Sequence, residues 1–132
     1  YKVTGVQTCA LPICCVSFVK NYDADTITFN VSDVHPLIGK SVSIRVAGVD
    51  TPEIRTKDVC EKHLAIEARN YVTDLLISSK RIDLISIQRG KYFRIVADVM
   101  MDGESLSKIL LKRGFAYAYD GGRKKKIDWC NR

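Results

Sequence analysis

Hydrophobic and polar residues alternate along much of this chain with a period of two, the signature of strands that bury one face. Between Thr26 and Val31, the polar Thr26, Thr28 and Asn30 alternate with Ile27, Phe29 and Val31. Val16 to Val19 reads as a preceding strand, joined to it through Asn21-Tyr22-Asp23-Ala24-Asp25. Ser41 to Val49 is a third, with Val42, Ile44 and Val46 on one face and Ser41, Ser43 and Arg45 on the other; Pro52 forbids its continuation. Arg81 to Gln88 and Tyr92 to Met101 read as a fourth and fifth, with Arg89-Gly90 as the turn between them and Asp102-Gly103 as the turn that follows. His35-Pro36 to Gly39 reads as a loop. The period changes in two places. Glu61 to Ser78 carries an apolar stripe of Leu64, Ala68, Tyr71, Val72 and Leu75 at helical spacing. A shorter helix runs through Leu106, Ile109 and Leu110 and is stopped by Gly114. This order predicts a mainly β protein with helices (α+β): a small five-stranded barrel closed by two helices.

With 132 residues, the chain is long enough for one hydrophobic core and too short for two. A charged fraction of 27% with mixed signs, beside 46% hydrophobic residues, excludes disordered, collagenous and coiled-coil classes. No apolar run approaches the roughly 20 residues that cross a bilayer, so no membrane partner is expected. Val3 to Ile13 (VTGVQTCALPI) looks like the translation of a sequencing-library adaptor, the other reading being the end of a signal peptide without its basic start. Residues 1–13 are therefore set aside as non-native, leaving residues 14–132 as one domain with a basic tail over 120–132. The formal net charge of +6 becomes +5 once Lys2 is removed. A basic surface attracts polyanions, nucleic acid foremost, although many basic domains bind none. The five cysteines, Cys9, Cys14, Cys15, Cys60 and Cys130, have no zinc-like spacing. They read as small buried thiols or one disulfide, and in an exported protein Cys60 could pair with Cys130 and tie the tail to the first helix.

Three clusters combine carboxylates with arginines. Asp23-Ala24-Asp25-Thr26 is a turn whose acids could hold a hard cation or cap their own backbone amides. In Arg45-Val46-Ala47-Gly48-Val49-Asp50-Thr51-Pro52-Glu53, an arginine sits inside an apolar strand, where it must be paired or face a polar site. Asp50 and Glu53 lie just past that strand, either as structural ion-pair partners or beside a metal. Lys91-Tyr92-Phe93-Arg94 opens a strand with basic residues that could equally form a solvated hairpin end. Together they supply what phosphodiester hydrolysis needs. Two arginines can fork onto phosphate oxygens, aspartates can hold a Lewis-acidic cation, and a carboxylate can orient the attacking water.

In this order and at these separations, the clusters resemble the active-site segments of the staphylococcal nuclease (thermonuclease) family, over about Val16 to Gly114. The RxxxxDTPE match is highly specific. The family's DGDT is DADT here, so Ala24 stands in place of glycine and predicts a mildly strained turn. The resemblance implies an OB-type five-stranded barrel and a calcium-dependent nuclease. It assigns calcium to Asp25, Asp50 and the Thr51 carbonyl, with Asp23 in support. It gives Glu53 the attacking water, as general base or orienting acceptor, and gives Arg45 and Arg94 the phosphate. Lys91 and Tyr92 match positions that contact a terminal phosphate. Tyr117 and Tyr119 could stack bases or pack on the barrel. The implied substrates are single-stranded DNA and RNA, and the implied products carry 3′-phosphates. The tail resembles the short tails of compact bacterial and phage members, and its basic run either guides the polyanion or is simply solvated. A monomer is expected, as is export, where calcium is plentiful. The competing reading is a catalytically silent nucleic-acid-binding module of the same fold. Such a module should have lost some of Asp25, Arg45, Asp50, Glu53 and Arg94, and all five are present.

Overall fold

The alternating segments form strands that share one core. The structure, a computed structural model, describes residues 12–32, 34–90 and 94–131. In β1 (Ser17–Asn21), β2 (Thr26–Asn30) and β3 (Val42–Val46), the inward residues are those the alternation picked out: Ile27 and Phe29 are fully buried, and Ile44 and Val46 nearly so. β5 (Ile82–Arg89) and β6 (Ile95–Met101) form an antiparallel pair burying Ile82, Leu84, Ala97, Val99 and Met101. The ladder path runs β1-β2-β3-β6-β5, and its β3–β6 step is parallel. A parallel step requires a crossover. Here that crossover contains α2 (Val59–Ser78), which buries Ala65, Ala68, Val72 and Leu76.

Several expectations shift. Ser41 to Val49 is not one strand: Ala47-Gly48 turns the chain, with Gly48 at φ +82°, and starts β4 (Val49–Asp50). β4 leaves the main sheet to pair with β8 (Tyr117–Ala118), Asp50 opposite Tyr117. The Pro36–Gly39 stretch read as a loop is a single helical turn, α1. The long helix begins two residues before Glu61, because Asp58 caps it by accepting hydrogen bonds from the Cys60 and Glu61 amides. Such a cap stabilises a helix by about 1 kcal/mol. Its buried stripe runs from Ala65 through Ala68 and Val72 to Leu76, and Leu64, Tyr71 and Leu75 flank it, only partly buried. The last helix, α3 (Leu106–Arg113), follows the two-residue β7 (Glu104–Ser105) and ends at Gly114 in the left-handed conformation.

The five-strand path is open, with β1 and β5 at its edges. The residues leading into β1 nevertheless reach β5. Ile13 exchanges both backbone hydrogen bonds with Leu84 (2.7 and 2.9 Å), and the Val16 amide donates to the Ile82 carbonyl (3.0 Å). Cys15, at φ +66° and with its amide on Asp83, interrupts any continuous ladder between that bridge and β1. Ile13, set aside with the leader, packs against the core.

Candidate active site

Register gathers the site. Thr26 on β2 pairs with Arg45 on β3, which places Asp25, the residue before Thr26, beside the end of β3. The Val46 amide donates to the Asp25 carbonyl (2.9 Å) and fixes that approach. On its other side Arg45 pairs with Val96 of β6. Arg94 is two residues before Val96 and so shares the face of the sheet to which Arg45 points. The turn at residues 22–25 is tied to α2: Asn21 donates to the Arg69 carbonyl (3.1 Å) and accepts from Thr73 (2.7 Å).

The Arg45 guanidinium stands between two buried aspartates. Its Nη1 lies 2.8 Å from Asp25 Oδ2 and its Nη2 lies 3.4 Å from Asp50 Oδ1, with the Val49 carbonyl accepting from Nη2 at 3.2 Å. Asp25 Oδ2 also accepts the Thr51 amide (3.2 Å). Asp50 Oδ2 accepts the Tyr117 hydroxyl (2.7 Å). Asp23 Oδ1 accepts the Asp25 amide (3.2 Å). Burial, then hydrogen bonding and repulsion from Asp25, push the Asp23 carboxyl up to about 8. Asp25 moves the other way: burial works against its charge, but Asp23 as donor, Arg45 and Thr51 outweigh it and hold its pKa below the ordinary value. The two neighbouring carboxyls are thus pushed in opposite directions, Asp23 up by burial and Asp25 down by its hydrogen bonds and Arg45.

Ala24, between them, is buried in the core and does not adopt a positive φ; the described non-glycine residues that do are Cys15, Ser41, Ser86 and Asp102. The expected strain at DADT is absent, because the turn does not need a left-handed residue at that position.

Glu53 is half-exposed at the mouth of the site. Its amide donates to Glu61 in the first turn of α2 (2.9 Å), which pins the loop after β4. The Asp58-x-x-Glu61 spacing resembles a capping box. The sequence therefore signalled a role for Glu61, though its partner proved to be Glu53. A cavity of about 300 Å³ is lined by Arg45, Gly90, Arg94, Val96, Tyr119, Gly121 and Lys124. Tyr119 lies under the Arg45 guanidinium, 5.7 Å from ring centroid to Cζ. The Tyr117 ring packs on Trp129 at 5.6 Å. Lys91 and Tyr92, assigned to a terminal phosphate by resemblance, lie outside the described residues.

The donor chemistry suits a hard divalent cation. Asp23, Asp25 and Asp50 are buried and offer only oxygen, and the buried Thr51 hydroxyl has no hydrogen-bond partner. Among the described residues, however, no three of these carboxylates bring oxygens within 4.8 Å of one another. The Arg45 guanidinium, lying between Asp25 and Asp50, keeps them apart. The one described group with that spacing is Cys14, Cys15 and Asp83, on β5 and the segment before β1, and its two cysteines are bonded to each other.

The family model for the staphylococcal nuclease homologue matches residues 43–129. The chain belongs to that family. The match takes in Arg45, Asp50, Thr51, Glu53 and Arg94 and begins after the Asp23–Asp25 turn. This nuclease homologue is similar to the probable endonuclease LCL3 of Podospora anserina, with 33% identity over 106 residues, covering 70% of this chain and 38% of that protein. It is also 33% identical over 91 residues to the endonuclease YncB of Bacillus subtilis, covering 65% of this chain and 43% of that one. A probable endonuclease lcl3 of Penicillium rubens is 31% identical over 90 residues, covering 61% and 30% respectively. The chain thus spans less than half the length of the curated relatives it matches.

Proposed function

We propose that this domain is a calcium-dependent nuclease that hydrolyses single-stranded DNA and RNA and leaves 3′-phosphate ends. The observation that carries this reading is a cavity lined by Arg45, Arg94 and Lys124, in which Arg45 is paired with Asp25 and Asp50 and Lys124 with the half-exposed Glu53. The two guanidiniums grip non-bridging phosphate oxygens and match the charge that builds on them in the pentacoordinate transition state. Glu53 accepts a proton from the attacking water, or orients that water. The new bond forms between water oxygen and phosphorus, the bond to the 5′ oxygen breaks, and the departing oxygen takes a proton from solvent. Asp25, Asp50 and the Thr51 carbonyl, with Asp23 in support, would hold calcium, which would supply Lewis acidity at the phosphate. Tyr119 stacks a base beside that phosphate in this reading, which its contact with Arg45 supports.

The same reading takes the sheet as an OB-type barrel whose closure is completed by the Ile13–Leu84 bridge, and takes the protein as a monomer. The Cys60–Cys130 disulfide supports export to an oxidising compartment, where calcium is abundant.

Digestion of single-stranded DNA with calcium, and again with excess chelator, tests the proposal. The expected outcome is cleavage that needs calcium and yields 3′-phosphorylated fragments, with Glu53→Gln reducing turnover by about 10³-fold. Binding without cleavage at any calcium concentration would instead identify a silent binding module.

A further inference from the structure

The tail is where the structure adds most to the sequence reading. After β8 the chain turns at Asp120–Gly122, where Asp120 accepts the Gly122 amide (2.9 Å) and Gly121 adopts φ +91°. It then runs back over the site, held on both sides of Lys124. The Tyr119 hydroxyl donates to the Gly122 carbonyl (2.7 Å), and the single proton of the Tyr117 hydroxyl, directed to Asp50, is shared with the Lys125 carbonyl at 3.2 Å. Farther on, Trp129 is buried against Tyr117 and Cys130 is bonded to Cys60 at the start of α2. This pinning sets Lys124 Nζ 3.3 Å from both Asp50 Oδ1 and Glu53 Oε1. It also makes Lys124 a wall of the cavity that Arg45 and Arg94 line.

An exposed lysine near a carboxylate is ordinarily a surface ion pair of little consequence. Lys124 differs in two respects. The backbone on either side of it is anchored by the hydroxyls of Tyr117, in β8, and Tyr119, just past it, and the cavity it faces has three cationic walls. Arg45 and Lys124 are already paired with carboxylates there, but with Arg94 they still turn guanidinium and ammonium donors toward one cavity of about 300 Å³, and phosphodiester oxygens are acceptors for such donors. The four-carbon stem lets the ammonium turn from Glu53 to a phosphate oxygen without moving the backbone, and it brings three donors that rotate freely. We propose that Lys124 is a substrate-contacting residue: the tail delivers it as a third phosphate-binding cation beside Arg45 and Arg94. This rests on the phosphodiester reading of the site.

The test compares Lys124→Gln and Lys124→Arg with Lys126→Gln, which removes a tail charge that lines none of these cavities. Binding of a fluorescent oligothymidylate is measured in chelator, where no turnover occurs, over a range of salt concentrations, and KM and kcat are then measured in calcium. Lys124→Gln is expected to weaken binding about tenfold and to lower the log–log salt slope by about 0.7, the share of one phosphate contact on a single strand. KM should rise more than kcat falls. Lys124→Arg should retain most of the binding, and Lys126→Gln should change it less than twofold. If Lys124→Gln matches Lys126→Gln in affinity and slope, the proposal is overturned. Tighter binding by Lys124→Gln would also overturn it, since the lysine would then be competing with substrate for the carboxylates. Wild-type protein that neither binds nor cleaves single strands would overturn the phosphodiester reading itself. Normal wild-type cleavage with a neutral Lys124→Gln would remove only the role given to Lys124.

Discussion

Two regions of this molecule meet at one cavity, and they hold their side chains by different means. The sheet side carries Asp25, Arg45 and Asp50, whose side chains are about nine-tenths buried and fixed by ladder register and mutual ion pairs. The tail side carries Lys124, half-exposed, on irregular backbone that is held by tyrosine hydroxyls, one buried indole and a covalent bond to α2. The first kind of placement is cooperative with folding, since displacing Arg45 strands two buried carboxylates. The second rests on a few separate anchors rather than on a ladder. The difference teaches where rigidity lies: the sheet-side charges are held by register and mutual pairing, and the tail-side charge by a few anchors.

Substitutions can break this contrast. Arg45→Lys keeps the charge and loses the fork, and should lower kcat on the order of 10²-fold in steady-state assays. Near-normal turnover would mean that charge without rigid geometry suffices on the sheet side. Cys60→Ser releases the tail. Loop-closure entropy over a separation of 70 residues predicts a stability loss of up to about 4 kcal/mol in denaturant titration. A loss below about 1 kcal/mol would show that Tyr117, Tyr119 and Trp129 hold the tail unaided. Tyr117→Phe removes a hydroxyl that faces both regions, shared by Asp50 and the Lys125 carbonyl. It should cost about 1.5 kcal/mol, with a modest rise in KM. The smallest effect is expected at Ala24→Gly, which restores the glycine usual in the family. Removing a buried methyl and freeing the backbone should destabilise by about 1 kcal/mol, with no gain in activity. A clear gain in turnover would show that DADT holds Asp23 and Asp25 away from their best positions.

The sheet side was largely legible in the sequence, and the tail side was not. Asp25, Arg45 and Asp50 sit in short motifs whose chemistry is local: acids in a turn, an arginine inside a strand, a proline just past it. Period-two alternation assigned β2 and β3 to the correct faces, because each strand buries one side. Alternation alone could not show that Gly48 breaks the third strand, since the turn serves a partner, β8, that lies 69 residues beyond Val49 in pairing. The onset of α2 was readable from Asp58 and was missed only because apolar spacing outweighed capping. Lys124, by contrast, sits in a run of four basic residues with nothing to distinguish it. What selects it is the separation of its two carbonyl anchors from their tyrosines, a property of folded backbone. The Tyr117–Asp50 bond likewise spans 67 residues and leaves no local trace.

The tail also equips the protein with an optical reporter. Trp129 is the single tryptophan of the chain, and its indole rests on the ring of Tyr117, whose hydroxyl ends on Asp50. A change of charge or hydrogen bonding at that carboxylate is one aromatic ring away from the dominant fluorophore. Emission excited near the red edge of tryptophan absorption therefore reads out events at Asp50 from a single position, without a label and in the unmodified protein.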